Sequence, residues 1–110
     1  MMGNYFIYIV TNPAKTVLYT GMTNDLERRI IEHYRNKGNR KTFAGRYYCY
    51  LLIYFERFET AADAIEREKE IKDWNRKLKE DLIATENPKW NFLNSSIMEW
   101  PPHPDVQSNY

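Results

Sequence analysis

The sequence predicts an α+β domain: a small antiparallel sheet of about three strands flanked by helices, in the order β-β-α-β-α-α. Three observations predict it. Two β-branched and aromatic runs stand side by side near the N-terminus, a third apolar run follows a helical repeat, and capping residues open the segments beyond it. The first run, residues 5–10, is closed by Asn12-Pro13, and the second, residues 16–20, ends at Gly21, so the two form a hairpin. Thr23, Asn24 and Asp25 then offer N-capping side chains ahead of Leu26, Ile30 and Tyr34, an i, i+4, i+8 series that stops at Gly38. A polar, basic loop leads to residues 47–55, the third strand. Thr60, with Asp63 three residues on, opens a second helix through Ala64, Ile65, Ile71 and Trp74, and residues 75–84 form a shorter third one. Residues 88–93 pack back as an irregular or short extended segment. Pro101, Pro102 and Pro104 forbid a further helix, so residues 1–94 read as one domain and 95–110 as a Pro-containing tail.

At 110 residues the chain has room for one domain, and 43% hydrophobic with 15% aromatic residues supplies enough apolar surface to exclude wholesale disorder. The longest apolar run is far too short for a membrane span, and the N-terminus lacks a basic region followed by an apolar stretch and a cleavage site. One cysteine, Cys49, excludes an internal disulfide and a CxxC zinc site, so the expectation is a reducing, cytoplasmic setting. The formal charge of +1 hides an asymmetry: residues 1–50 balance at +5 and residues 51–110 at −4. Arg28, Arg29, Arg35, Lys37, Arg40, Lys41 and Arg46 fall between residues 28 and 46 and face only Glu32 in that stretch. Such a segment can collect phosphates on one surface, or be a solvated helix face followed by a charged loop.

Two helices carry side chains that their own pattern does not explain. Glu68 falls within the apolar stripe of Ala61, Ala64, Ile65, Ile71 and Trp74, where a carboxylate must be paired, hydrogen-bonded or metal-bound. Arg29 and His33, four residues apart, share one face beside Leu26 and Ile30, either lining a cleft or reaching past the core to solvent. Tyr8 and Tyr19 stand in the first two strands, where a tyrosine ordinarily packs.

Taken in order, Phe6-Ile7-Tyr8, Tyr19-Thr20-Gly21, Asp25 to Arg29 with His33, Glu68 on a later helix, and Pro88-Lys89-Trp90-Asn91 resemble the GIY-YIG nuclease family over roughly residues 4–94. The likeness is greatest to small stand-alone bacterial members, relatives of the N-terminal nuclease domain of the excision-repair incision enzyme. Both motif tyrosines are kept, although Phe6 stands for the first glycine and Thr20 for the second isoleucine.

The resemblance implies a metal-dependent endonuclease that hydrolyses phosphodiester bonds in nucleic acid, DNA before RNA. It implies Glu68 as the one protein carboxylate on Mg²⁺ or Mn²⁺, with Tyr8 or Tyr19 activating the attacking water and the other positioning it. Arg29 would hold the scissile phosphate, His33 would serve as a base for the tyrosine, and Asn91 would fix the site's hydrogen bonding. Arg28, Arg35, Lys37, Arg40, Lys41 and Arg46 then become the phosphate-binding surface. The alternative is a non-catalytic nucleic-acid-binding or protein-interaction module on the same fold. Intrinsic specificity would be low, or supplied by a protein partner or by self-association, since 110 residues leave no room for a second recognition domain.

Overall fold

The structure, a computed structural model, describes residues 3–103. Its elements are β1 (Tyr5–Thr11), β2 (Leu18–Thr23), α1 (Leu26–Arg35), α2 (Phe43–Arg46), β3 (Leu51–Phe58), α3 (Ala61–Lys72), α4 (Arg76–Glu86) and α5 (Asn94–Ile97). The three strands form one antiparallel sheet in the order β2-β1-β3. This is the α+β architecture that the sequence predicts, with two four-residue helices added.

The central strand explains the layering. Ile7, Tyr8, Ile9 and Val10 are all fully buried, and their side chains alternate between the two faces of the sheet. Ile7 and Ile9 join Ala64, Ile71 and Ile83 of α3 and α4 in one core, while Tyr8 and Val10 join Leu26 and Ile30 of α1 in the other. A strand covered on both faces reads as a continuous apolar run, as this one does.

Local signals set most boundaries. Asn12 Oδ1 accepts from the backbone N–H groups of Thr16 and Val17, which closes the hairpin turn. Asp25, Thr60 and Asn75 cap α1, α3 and α4, each accepting from the N–H three residues on. β2 continues through Gly21 to Thr23 because it stays paired with β1 as far as Phe6.

The third strand departs from the expected residues 47–55. Thr42 caps the short α2, and its C-cap Tyr47 is followed by Tyr48 at φ 57°, so the chain leaves a helix there and has not yet entered the sheet. β3 instead starts at Leu51 and runs on to Phe58, which pairs with Tyr5. Ile65, placed in the apolar stripe of α3 by its spacing, is exposed; the buried line is Ala64 and Ile71.

After α4, Leu93 N–H donates to Leu52 O, and the buried Asn94 side chain accepts from Leu52 N–H and donates to Tyr50 O, tying the segment to β3. Trp100 packs edge-on to Tyr34 at 5.0 Å between centroids. Part of the tail expected over 95–110 is therefore docked; residues 104–110, Pro104 among them, lie outside the described residues. Cys49 is buried in the α1-side core, which pushes its thiol up to about 11 and leaves it a small apolar side chain. No helix of the described residues is long and apolar enough to cross a membrane.

Candidate active site

The site is built around the hydroxyl of Tyr8. On β1, Tyr8 faces Gly21 of β2, and its ring lies so close over that residue that a Cβ there would fall 2.4 Å from the phenolic oxygen. Glycine is thus required at position 21 for the tyrosine to reach α1. There the hydroxyl meets two side chains one helical turn apart: Arg29 Nε donates to it at 3.0 Å, and His33 Nε2 lies 2.7 Å away.

The proton is assigned from the chemistry of these groups. Arg29 can only donate, so the phenolic oxygen accepts from it and its own O–H is directed at His33 Nε2. His33 is therefore neutral with its proton on Nδ1, an assignment that follows from the hydrogen-bond network. Burial and the charge of Arg29 both disfavour the imidazolium, lowering the His33 pKa to about 3. Burial likewise raises the Tyr8 pKa well above the ordinary phenol range, against the lowering effect of Arg29. Burial alone would lower the Arg29 pKa, but Tyr8 and Glu32 outweigh it and the guanidinium is held charged.

The rest of the constellation surrounds this centre. The Tyr19 ring is 5.4 Å from His33 and 6.4 Å from Tyr8. Arg29 Nη1 also reaches Glu32 Oε1 at 3.2 Å, and Arg28 reaches the same carboxylate at 3.7 Å. Tyr19, Arg29, His33, Asn36, Thr42 and Phe43 line a pocket of about 120 Å³. Glu68 arrives from α3, with its side chain 21% exposed, and is close enough for its charge to act on Tyr8. Its ion-pair partner is Lys72, whose Nζ is 3.6 Å away and 5.9 Å from the centre of the Tyr19 ring.

Five of the six residues singled out as catalytic therefore converge: Tyr8, Tyr19, Arg29, His33 and Glu68. Asn91 is exposed, and its hydrogen bonds are backbone ones, its N–H to Asn87 Oδ1 and its C=O from Asn87 Nδ2. The buried asparagines are Asn87 and Asn94, and both brace β3. Arg28, Arg35, Lys37, Arg40, Lys41 and Arg46 are all exposed, along α1 and the loop into α2. Among the described residues, none of Arg35, Lys37, Arg40, Lys41 and Arg46 has an ion pair, whereas Arg67, Arg76 and Lys77 do.

Lys72 is the functional candidate that the sequence reading missed; its spacing of four from Glu68 is the available signal. Thr20, at the isoleucine position of the second motif, has a buried Oγ1 that no described group hydrogen-bonds.

No group of three or more His, Cys, Asp or Glu side chains that could hold a metal exists among the described residues. A single carboxylate does not suit zinc, which takes several protein ligands. It does fit a hard, hydrated cation that keeps most of its waters and shares phosphate oxygens.

A family model described as the GIY-YIG catalytic domain matches residues 4–81. The chain belongs to the GIY-YIG family. This GIY-YIG chain is 38% identical over 86 residues to a UPF0213 protein of Natronomonas pharaonis, covering 78% of the chain and 98% of the relative. A UPF0213 protein of Staphylococcus saprophyticus is 40% identical over 83 residues, covering 76% and 98%. The solution NMR structure of a UPF0213 protein from Bacillus halodurans superposes with a TM-score of 0.51 at 29% identity, covering 87% of this chain and 97% of that one. The family match takes in Tyr8, Tyr19, Arg29, His33 and Glu68 and ends before Asn91.

Proposed function

We propose that this GIY-YIG chain is a metal-dependent endonuclease that hydrolyses phosphodiester bonds in nucleic acid, with DNA the first substrate to test. The observation that carries the reading is the placement of one phenol oxygen between a guanidinium donor and a neutral imidazole acceptor. A buried phenol needs a hydrogen-bond partner in any fold; what favours the reading is that its two partners are a cation on the wall of a pocket and a group able to take a proton.

Arg29 binds the scissile phosphate and opposes the charge that grows on it during displacement. Tyr8 enters the reaction as a phenol, since burial holds its proton. As water attacks, the Tyr8 oxygen takes a water proton and passes its own to His33 Nε2, so no free phenolate is formed. The His33 pKa of about 3 in the free protein opposes this transfer. A phosphate seated on Arg29 neutralises one of the two causes of that lowering and makes the imidazole a better acceptor when substrate is present. Tyr19 borders the same pocket and orients the water or the phosphate. Glu68 would hold Mg²⁺ or Mn²⁺, which when bound supplies Lewis-acid stabilisation of phosphate charge. The basic residues from Arg28 to Arg46 bind the flanking backbone.

The test is cleavage of supercoiled plasmid and end-labelled oligonucleotides in Mg²⁺ or Mn²⁺ against EDTA, comparing the wild type with Glu68→Gln. The expected result is metal-dependent nicking that Glu68→Gln abolishes at an unchanged melting temperature. Equal cutting by the variant, or cutting in EDTA, overturns the metal assignment, and no cutting in any metal overturns the nuclease reading.

A further inference from the structure

The exposed aromatic residues are not scattered. Phe43, Tyr47 and Tyr48 are about half exposed and lie together on and after α2. Phe43 and Tyr47, four residues apart on one side of that turn, have ring centroids 4.9 Å apart. Phe43 in turn stacks on Tyr19 at 6.3 Å with 27° between the planes, and Tyr19 is next to Tyr8 and His33. A continuous series of rings thus runs from the buried Tyr8 hydroxyl to the surface.

This surface is held in place before any ligand arrives. Thr42 caps α2, Gly38 N–H donates to Gly45 O at 2.8 Å, and the chain passes so close to Gly45 that a Cβ would fall 2.5 Å from Asn39 O. Phe43 and Tyr47 are thus presented to solvent from a capped turn that is hydrogen-bonded to the loop before it. Arg40, Lys41 and Arg46 flank them in the chain, are exposed and have no ion pair among the described residues; Arg46 Nη2 donates to Arg40 O at 3.1 Å.

We propose that Phe43 and Tyr47 form a stacking step for an unpaired base next to the scissile phosphate, which makes single-stranded or locally unpaired nucleic acid the preferred substrate class. The proposal rests on the nuclease reading of the adjoining pocket and deepens it. Aromatic faces flanked by cations complement a nucleotide: the rings take the base and the cations take the phosphates beside it. In a continuous duplex both faces of every base are already stacked, so only an unpaired nucleotide has a face to offer. Phe43 belongs both to the series of rings and to the wall of the Arg29 pocket, which puts the base one step from the phosphate.

The experiment measures binding in EDTA, where cleavage is not read. The probe is a short single-stranded oligonucleotide carrying one 2-aminopurine, compared with the same sequence as continuous duplex and with an abasic site in place of the fluorophore. Expected are fluorescence quenching and tighter binding of the single strand by the wild type. Roughly tenfold weaker binding is expected in Phe43→Leu and in Tyr47→Leu, which lose a stacking face. Phe43→Tyr keeps a face and retains wild-type binding. On the abasic strand the leucine variants and the wild type should bind alike. Wild-type binding by the double leucine variant, or duplex bound as tightly as single strand by the wild type, overturns the proposal. A wild type that shows this binding pattern and never cuts DNA leaves the stacking step standing and removes the nuclease reading. One that cuts without quenching does the reverse.

Discussion

Two tyrosines at the core of this sheet carry polar clusters, and the clusters are opposite in charge. Tyr54 on β3 donates to Glu56 Oε2 at 2.6 Å; Arg67 of α3 grips Glu56 at 3.0 Å and also pairs with Glu70. One guanidinium there meets two carboxylates, one of which also accepts from the phenol. Around Tyr8 the count reverses, with Arg28 and Arg29 both directed at Glu32 and the phenol bound to a neutral imidazole. Burial raises the pKa of both tyrosines, so burial does not distinguish them. The difference is that Arg67 of the Tyr54 cluster is shared between two carboxylates, whereas Arg29 of the Tyr8 cluster pairs with one and lies on the wall of the pocket beside Tyr19 and His33. On the proposed function, a perturbed tyrosine belongs to the reacting centre only where its partners can also meet an incoming anion.

The largest expected effect comes from treating the two clusters alike. Tyr8→Phe should lower turnover by about 10² to 10⁴, the range for loss of a proton-transfer group. Tyr54→Phe should leave turnover unchanged and lower stability by about 1–2 kcal/mol, because it removes one hydrogen bond to a charged acceptor from a closed network. Steady-state cleavage and denaturant melts of both variants decide it. A loss of turnover in Tyr54→Phe matching that of Tyr8→Phe would erase the distinction.

A smaller effect separates them by pH. The folded His33 pKa, about 3, lies below its ordinary value of 6.5, so between the two the unfolded chain binds the proton and the folded one does not. The stability from this group is complete above about pH 6.5 and is lost as pH falls toward 3, by up to about tenfold in the unfolding equilibrium per pH unit. His33→Gln, which can present an acceptor to Tyr8 without titrating, should flatten that slope; urea melts from pH 7 to 4 measure it. A slope unchanged by the substitution would mean that His33 is not held neutral. The Tyr54 cluster contains no histidine, so its Tyr54→Phe variant should keep the acid slope.

The two clusters also differ in how far the sequence shows them. Tyr8, Tyr19, Arg29 and His33 are legible because an ordered motif with i, i+4 spacing on a well-capped helix carries them. The same capping logic places α1, α3 and α4 within a few residues. The Tyr54 brace is invisible in one dimension: it joins a strand to a helix through Glu56 and Arg67, eleven residues apart, and neither interrupts a pattern. The start of β3 is hidden for a related reason. Tyr47, Tyr48 and Cys49 look like strand residues, yet they form a helix exit and a left-handed turn that brings Cys49 into the core. Glu68 stands out although Ile65, part of the stripe that singles it out, is exposed; Ala64 and Ile71 are sufficient to define the line. Nothing in the spacing distinguishes Phe43 from a core aromatic, because its role depends on where the short α2 presents it.

The smallest effect tests whether the Tyr8 site also balances charge on its other rim. Lys72 and Glu68 form an i, i+4 pair at 3.6 Å, with the lysine side chain 47% exposed. Such a half-exposed pair contributes little to stability, about 0–1 kcal/mol, so Lys72→Met should leave the melt nearly unchanged. Its consequence for the carboxylate is different. A cation arriving at Glu68 must displace or tolerate the ammonium, and removing that competitor should lower the Mg²⁺ concentration for half-maximal cleavage by up to about fivefold, the same small free energy read as affinity. Lys72→Arg keeps the charge and should hold the wild-type requirement. A higher metal requirement in Lys72→Met would show instead that Lys72 helps seat the phosphate, and the surplus of positive charge that sets this site apart from the Tyr54 cluster would then extend across both of its rims.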